Sequence, residues 1–499
     1  MGERITVVGG SDSAISVTLD GSQAIRLAQQ FSEDIKNYYQ NNKLLANPED
    51  SETPTDKIGY GVITAGGAYN LGNGYDYIVV GGYNYTQDPL SAMFAIDPET
   101  ANLLPDAVTI NSARMNASQN VSIVAGNFKG FTYQAGQESG KLAAGNAESN
   151  VYFQGNTVNG GNWDIRTGAG DDTIITGSGS NTVYASTGKN LIDITSGIRN
   201  QVNSEGQDSI IASQSSTAQN RVTLSGGNKD YHATVNINKG ASVSDTSFYN
   251  VVTVGGGSTI EGGTYGNYTF DGSYDSNLNH MAGGLSSTVQ ATGDLQVVQG
   301  DSNTINASQS LTFLNGRGNT LANTQGQALG FGANELNYTL NATGNDAGLF
   351  VADAGNETLN ASGSTVGLSI YANTIVGGGG TNFVATGGSG NDVMVGGTGN
   401  STFTGGAGDN FFMFDKNNSE DGKTLIKDFA QTGSNNKIAL YNFGLDSDSL
   451  AELLRNSQNN DRGDAVLNLN GHTITVEGVS VSDLTVNQFD VGNPSIKSS

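Results

Sequence analysis

Four consecutive nine-residue repeats near the C-terminal end of the chain constrain its fold more than any other feature. They read GGGGTNFVA from Gly377, GGSGNDVMV from Gly387, GGTGNSTFT from Gly396 and GGAGDNFFM from Gly405. Glycines at positions 1, 2 and 4 allow backbone conformations that side chains disfavour, and position 8 is apolar. A turn and a short strand repeated every nine residues predict a parallel coil with stacked turns and an apolar interior.

The same signal continues upstream of the strict repeats. An Asn or Asp that precedes an apolar residue recurs at spacings of 16 to 19 residues, at Asn303, Asn319, Asn337, Asn356, Asn373, Asp392 and Asn410. This spacing is about twice nine, which corresponds to one full coil. The opposite side of each coil is predicted to be marked by Leu311, Leu329, Leu349, Leu368, Val384 and Phe403.

A second block shows the same period nearer the N-terminus. One side carries Asn156, Asp172, Asn190 and Asp208, each followed by an apolar residue, from Val158 to Ile210; the other carries Ile165, Val183, Val202 and Val222. Residues 223–300 keep a looser apolar period and are predicted to be solenoid as well. A disordered Gly/Ser/Asn linker is the alternative, but a linker does not keep an apolar period. The sequence therefore predicts an all-β fold, a parallel β-solenoid or β-roll of about 18 residues per coil.

The nonapeptides resemble the GGxGxDxUx signature of secreted bacterial RTX (repeats-in-toxin) proteins, and the resemblance covers residues 377–413. It implies that the aspartate at position 6 and turn carbonyls hold calcium between successive coils. Position 6 is Asn382, Asp392, Ser401 and Asn410 here. With two repeats per coil, Asn382 is expected over Ser401 and Asp392 over Asn410. Because neither pair has two carboxylates, we expect few calcium sites.

The resemblance assigns two groups of candidate calcium ligands. The first group contains Gly388, Gly390, Asp392, Gly406, Gly408, Asp409 and Asn410, of which Asp409 is expected to face solvent. The second contains Gly170, Asp172, Asn190 and Asp208, and the last three are predicted to form one vertical row. Where asparagine replaces aspartate, stacked amides can bond to one another without a cation. Much of the rod is therefore expected to be stable in chelator.

Composition restricts the partners and the chemistry. The net charge is −25 although only 14% of residues are charged, which argues against nucleic acid and anionic membranes as partners. The chain has no cysteine, so disulfides and thiol catalysis are excluded. No segment has the apolar length of a signal peptide or of a transmembrane helix. Taken alone, this would suggest a cytoplasmic protein.

The C-terminal region resembles the segment that closes the repeats of serralysin-like RTX proteins. It reads TLIKDFAQTGSNNKIALYNF from Thr424 to Phe443, with Asn436 where an aspartate is usual. A helix is predicted over Ser449 to Asn456, and two strands around the turn Asn470-Gly471. The resemblance implies a type I exporter as a partner, and a bacterial protein that is secreted or at the cell surface. Residues 415–499 are predicted to be a cap and export signal; a cap without an export role is the alternative.

The first 148 residues lack the glycine period and are predicted to form a separate small α+β domain. A helix capped by Ser22 is expected over 22–39, and strands over 59–65, 68–71 and 75–85, with Asn73-Gly74 as a hairpin turn. Six tyrosines are candidates for a binding face or for half-buried sheet positions: Tyr60, Tyr69, Tyr75, Tyr77, Tyr83 and Tyr85. The other predicted segments are a degenerate solenoid over 149–375, the nonapeptide β-roll over 376–414 and the C-terminal segment.

No catalytic motif is found. HExxH and GxSxG are absent, and His232, His280 and His472 are far apart in sequence. The sequence therefore favours a calcium-responsive structural or adhesive protein rather than an enzyme, as part of a surface layer, biofilm matrix or extracellular filament. Its expected partners are its own copies or a cell-surface or matrix component, with polysaccharide as a further candidate. A polysaccharide lyase or epimerase on a β-helix is the alternative, because such sites assemble from distant residues.

Overall fold

A computed structural model describes most of the chain. The described residues are 3–8, 13–48, 56–81, 83–86, 106–126, 128–146, 150–271, 278–298, 300–314, 318–323, 327–332, 336–344, 346–352, 355–372, 380–417, 419, 421–430 and 434–492. The chain forms two compact units, an N-terminal unit of residues 1–263 and a C-terminal unit of residues 264–499.

The N-terminal unit contains one long helix and many short strands. In chain order these are β1 (Glu3–Val8), β2 (Ser13–Leu19), α1 (Ser22–Gln40), β3 (Leu44–Ala46), β4 (Ile58–Ile63), β5 (Gly67–Asn70), β6 (Tyr77–Val80), β7 (Tyr83–Thr86), β8 (Val108–Asn111), β9 (Asn120–Ala125), β10 (Gly130–Gln134), β11 (Ser139–Ala144), β12 (Asn150–Gln154), β13 (Trp163–Thr167), β14 (Thr173–Ile175), β15 (Ser180–Ala185), β16 (Leu191–Asp193), β17 (Arg199–Ser204), β18 (Ser209–Ile211), β19 (Gln219–Leu224), β20 (Thr234–Ile237), β21 (Ser242–Asp245), β22 (Val251–Gly255) and β23 (Thr259–Thr264).

The C-terminal unit continues with strands and one shorter helix. These are β24 (Asn267–Asp271), β25 (Asn279–Leu285), β26 (Thr288–Ala291), β27 (Leu295–Val298), β28 (Thr304–Ala307), β29 (Leu311–Leu314), β30 (Thr320–Asn323), β31 (Ala328–Gly332), β32 (Leu336–Ala342), β33 (Gly348–Ala352), β34 (Gly355–Asn360), β35 (Leu368–Ala372), β36 (Gly380–Thr386), β37 (Val393–Val395), β38 (Asn400–Thr404), β39 (Phe411–Asp415), β40 (Lys423–Ile426), β41 (Lys437–Tyr441), α2 (Ser447–Asn456), β42 (Gln458–Asn459), β43 (Ala465–Leu469), β44 (His472–Val476) and β45 (Phe489–Gly492), with 3-10 turns at Val481–Asp483 and Val486–Gln488.

From β8 to β41, strands that follow one another along the chain alternate between two parallel sheets, so each of these coils contributes one strand to each sheet. In the N-terminal unit, sheet N1 runs from β5 to β22 and sheet N2 from β3 to β23. In the C-terminal unit, sheet C1 runs from β24 to β40 and sheet C2 from β25 to β41. Each unit is therefore a parallel β-solenoid, and the predicted fold class is confirmed.

The interior of each solenoid is a stack of apolar side chains in register. In sheet N1, Ile174 pairs with Ile192 and Ile192 with Ile210, so the coil repeats every 18 residues there. In sheet N2, Val183 pairs with Val202 and Val202 with Val222. All six side chains are buried. The predicted period arises because each coil must return an apolar residue to the same level of this stack.

Four residues that were predicted to face the interior of the coil do not face it. Val384 is 42% exposed, and its neighbours Phe383 and Ala385 are buried instead. Leu329 and Leu349 are half-buried and face outward, and Ala328 and Phe350 face inward. Val158 is 77% exposed, and Phe153 occupies the level below Ile174. A shift of one residue turns every side chain of a strand to the opposite face, and burying a phenylalanine stabilises the register that places it inside.

The solenoid begins well before residue 149. Strand β3 pairs with β4 and β4 with β6, so parts of the segment predicted as a separate domain are already coils. Asn73-Gly74 was predicted to close a hairpin, but it lies between β5 and β6, which belong to different sheets. It is a corner of a coil. The division of roles among the four predicted segments stays a prediction.

Helix α1 lies against the outer face of sheet N2. Its buried residues, from Ala24 to Ile35, pack on Tyr60, Val79, Val124 and Ala143. The helix has the predicted extent, but its N-cap is Gly21 and no side chain caps it, so the predicted role of Ser22 was wrong. Strands β1, β2 and β7 form a small antiparallel sheet beside it.

The predicted tyrosine face is divided by this packing. Tyr60 is buried in the cluster under α1, and Tyr69, Tyr75 and Tyr77 are half-buried. The side chains of Tyr83 and Tyr85 lie outside the described residues. Tyr60 is thus a core residue, and a tyrosine binding face stays a prediction for the others.

The C-terminal segment extends the two sheets of its unit. The predicted hairpin around Asn470-Gly471 is confirmed as β43 and β44, and β44 also pairs in parallel with β40. Helix α2 is confirmed, and its N-cap Asp446 accepts a hydrogen bond from the Ser449 backbone N–H. His472 is buried, with Nδ1 2.7 Å from the Ser419 carbonyl oxygen.

We predict that Phe383→Ala destabilises the C-terminal unit by about 3–5 kcal/mol, because it leaves a cavity inside the coil. Val384→Ala is the matched control and is expected to cost less than about 1 kcal/mol, because that side chain faces outward. Thermal unfolding followed by circular dichroism compares the two. Equal losses would contradict the register described above.

Candidate functional site

The glycine turns of successive coils stack with almost no space between them. Gly406 and Gly408 have φ of 82° and 87°, which other residues rarely adopt. A Cβ at Gly406 would overlap the carbonyl oxygen of Gly388, and one at Gly408 that of Gly390. The glycines of the repeats therefore do two things: they turn the chain, and they let the next coil approach within backbone contact.

The acidic row of the N-terminal unit consists of Asp172, Asn190 and Asp208. The three lie one above another, as predicted, because they directly precede paired strands of sheet N1. Asp172 Oδ1 accepts the Val151 N–H at 2.8 Å, and Asn190 Oδ1 accepts the Asp172 N–H at 2.9 Å. Asp208 Oδ1 accepts the backbone N–H of Asn190 at 3.3 Å and its Nδ2 at 2.8 Å.

Each aspartate of this row has one oxygen without a hydrogen bond. Asp172 Oδ2 and Asp208 Oδ2 are both buried and have no partner among the described residues. The hydroxyls of Thr167 and Ser204 lie near enough to lower the pKa of Asp172 and Asp208 respectively, but neither completes a hydrogen bond to Oδ2. Buried carboxylate oxygens that lack a partner are costly, so this row is poised for a proton or a cation.

Burial dominates the electrostatics of the row. It raises the pKa of Asp172 to about 7, and the charge of Asp208 adds to this effect. It also raises the pKa of Asp208 to about 6. Two negative charges in one buried row disfavour each other, and Asn190 between them carries none.

The corresponding row of the C-terminal unit is Asp392, Asn410 and Asn436. Asn410 Oδ1 accepts the Asp392 N–H at 2.9 Å, which confirms Asp392 over Asn410. Both carboxylate oxygens of Asp392 accept backbone N–H groups, Oδ1 from Leu368 and Oδ2 from Gly388, each at 2.8 Å. Burial raises the pKa of Asp392 to about 6, and these two hydrogen bonds act against the rise. This carboxylate is therefore satisfied by the turn itself.

The turn that follows is bound by a carboxylate from the next coil. Asp428 Oδ1 accepts the Gly405 N–H and Oδ2 accepts the Gly406 N–H, both at 2.7 Å. Asp409 is exposed, as expected, and its Oδ1 accepts the Asn435 N–H at 2.8 Å. The cap segment thus supplies the acceptors that the last glycine turn needs.

An uncharged ladder lies at another corner of the N-terminal unit. Asn181 Nδ2 donates to Asn200 Oδ1 at 2.9 Å, Asn200 to Asn220 at 2.9 Å, and Asn220 to Asn238 at 2.6 Å. All four amides are buried. Amide-to-amide bonding along the solenoid is confirmed at this corner, where no cation is required.

The structure brings together most, but not all, of the predicted candidate residues. Gly388, Gly390, Gly406 and Gly408 lie in stacked turns, and Gly170 is stacked under Gly188. Asn382 was predicted over Ser401, but it pairs with Asn400, because Phe383 rather than Val384 turns inward. The roles of Asp428 and of the Asn181–Asn238 ladder were missed, although asparagines at spacings of 19, 20 and 18 residues were a readable signal.

Comparison with known proteins identifies the repeats. A family model described as the RTX calcium-binding nonapeptide repeat matches in four copies, at residues 157–193 and 386–419. No curated protein and no solved structure matches the chain. RTX nonapeptide repeats bind calcium, and RTX repeat proteins are typically secreted. Neither helix in the described part of the chain has the length and apolar character needed to cross a membrane.

The two rows fit calcium differently. Within the described ranges, no three His, Asp or Glu side chains gather as a metal-binding group. The resemblance instead implies sites that combine a carboxylate with turn carbonyls, a hard oxygen set that suits calcium. Asp172 and Asp208 each offer a buried oxygen without a partner, so they fit a cation. Asp392 offers none, because both of its oxygens already accept N–H groups.

We predict that the metal-free chain is less stable at pH 8 than at pH 5. The folded pKa values of Asp172 and Asp208 lie above the ordinary value of about 4, so the folded state retains protons that the unfolded chain loses. This stabilising contribution is complete below about pH 4 and is lost as pH rises through 6 to 7. Thermal melts after calcium removal on a chelating resin measure it, and Asp172→Asn with Asp208→Asn should reduce the difference. An unchanged difference would refute the assignment.

Proposed function

We propose that this RTX-type chain is a secreted bacterial scaffold protein whose N-terminal unit responds to calcium, with a structural or adhesive role in a surface layer, biofilm matrix or extracellular filament. The observation that carries the proposal is the row of Asp172 and Asp208, two buried carboxylates with unpartnered oxygens, of which Asp172 lies within the matched RTX repeats. The Asn-rich ladders around this row hold the coil together without a metal.

Some residues keep the coils ordered, and others respond to calcium. Stacked turns, amide ladders and apolar rows supply a rigid frame. At Asp172 and Asp208, a bound cation would neutralise buried charge that burial otherwise disfavours, and it would couple occupancy to the order of neighbouring coils. A low cytosolic calcium level would leave this part loose before export, and millimolar calcium outside would tighten it.

We expect calcium to raise the melting temperature of the full chain, and the rise to depend on the N-terminal row. Asp172→Asn with Asp208→Asn should remove most of the rise, because the substitution removes both charges while keeping the size of the side chains. Asp392→Asn is the matched control and should retain it, since both Asp392 oxygens are bound by backbone N–H groups. The fluorescence of the single tryptophan, Trp163, reports the same region. Loss of the rise only in Asp392→Asn would reverse the assignment.

Secretion is tested separately. Removing residues 416–499 should abolish export through a type I system, because the resemblance places the export signal in this segment. Asp428→Ala is the control: it weakens the contact between the cap and the last turn but keeps the sequence of the segment. It should therefore be exported. Export of the truncated chain, measured in the culture supernatant, would remove the signal from this segment.

The enzyme alternative is decided by turnover. The purified chain is expected to release no products from alginate, pectin or ester substrates, with or without calcium. Depolymerisation of a polysaccharide by the pure protein would establish a carbohydrate-active enzyme instead.

A further inference from the structure

Among the described residues, the outer face of sheet C1 between β26 and β38 carries no charge. Its outward side chains, all at least partly exposed, define the threonine face: Thr288, Gln290, Thr304, Asn306, Thr320, Ala322, Asn337, Thr339, Asn341, Asn356, Thr358, Asn360, Asn382, Val384, Thr386, Asn400, Thr402 and Thr404. These side chains come from seven consecutive strands of one sheet, in a chain whose net charge is −25.

A row of threonines, interrupted by Asn360, runs across the seven strands of this face. The row pairs Thr288 with Thr304, Thr320 and Thr339, and continues through Asn360 to Thr386 and Thr404. Each step is one strand spacing of about 4.8 Å, so the row is about 29 Å long. Its threonines present methyl and hydroxyl groups at the spacing of the strands.

Amides beside the row are already ordered by one another. Asn382 Nδ2 donates to Asn356 Oδ1 at 2.7 Å, and Asn400 Nδ2 donates to Asn382 Oδ1 at 3.1 Å, on the exposed side of the sheet. Side chains held in this way lose little further freedom when a partner arrives. The face is therefore pre-organised for contact.

Charge restricts where two copies of this chain can meet. Copies with a charge of −25 repel each other over most orientations, and the repulsion is weakest where the facing surfaces are neutral. The threonine face is such a surface, and another copy has the same strand period by construction. Side chains of two such sheets can interdigitate along the whole row without losing register.

We propose that the threonine face is a contact surface for a second copy of this chain, joined face to face about a twofold axis. This proposal rests on the proposed scaffold function and names the surface through which the scaffold associates. A twofold contact uses the same patch on both copies, which suits a row with a threonine at six of its seven positions.

The size of the face sets the strength of the contact. A strip about 29 Å long and one five-residue strand wide, about 16 Å, covers roughly 460 Å² on each copy. Stable complexes bury about 800 Å² on each partner. The association is therefore weak in dilute solution and concentration-dependent, and it becomes significant where many copies are held close together.

Sedimentation velocity of the full chain over a range of concentrations tests the proposal. The mean sedimentation coefficient should rise with concentration, and more steeply at high salt, because salt screens the repulsion between copies. Thr320→Glu places a charge in the threonine row, on the third of its seven strands, and should weaken association about tenfold or more. Thr312→Glu is the matched control: it is half-buried and outward-facing like Thr320, but it lies on sheet C2. It should associate like the parent chain.

The possible results distinguish failure of the proposed contact surface from failure of the proposed scaffold function. Melting curves first establish that both variants are folded. If Thr320→Glu and Thr312→Glu weaken association equally, the threonine face is not the contact surface. The scaffold proposal is unaffected by that result. A chain that is monomeric at every concentration but binds insoluble chitin or cellulose, with binding lost only in Thr320→Glu, would assign the face to a glycan instead. The calcium-dependent melting temperature reports the proposed function independently of both results.

Discussion

The parallel ladder between successive coils is the constraint on which the rest of the molecule depends. Once one strand is paired, every residue of the next coil has a fixed neighbour about eighteen positions away, as with Ile174, Ile192 and Ile210. Stacking of like residues follows directly. Apolar residues form the interior, asparagines form ladders, and threonines form an exterior row, all from the same register.

The register also makes acidic residues costly. An aspartate repeated in every coil would place like charges one above another at about 4.8 Å in a buried row, where each raises the pKa of the next. This chain replaces most of these carboxylates by amides, as in the ladder from Asn181 to Asn238. It satisfies Asp392 and Asp428 by turn N–H groups. Among the described aspartates of these rows and turns, Asp172 and Asp208 keep a buried oxygen without a partner, so the proposed response to calcium is local to their row.

The sequence predicted the fold class, the period and the two acidic rows because each is a repeated pattern of residue types. It did not predict which neighbour in a repeat turns inward when both are apolar. Phe383 and Val384 have the same polarity, and the choice is made by contacts with the next coil. Nor did it predict that the coils begin near Leu44, because the first strands lack the repeated glycine turns from which the period is read. The hydrogen bonds of Asp428 depend on two chain segments that have no local signal in common.

Corners of the coil differ in length while the strands keep their pairing. Adjacent coils are offset by 16 residues between Ile305 and Leu321, but by 26 between Asn360 and Thr386. The strands on both sides of the longer connection stay paired, with one register irregularity between Gly355 and Asn356 in the pairing of β34 with β36. Removing one whole coil, cut at equivalent points of two stacked turns, would bring together strands that already share the same geometry. A protein of this kind can change length during evolution in whole coils without having to invent a new core.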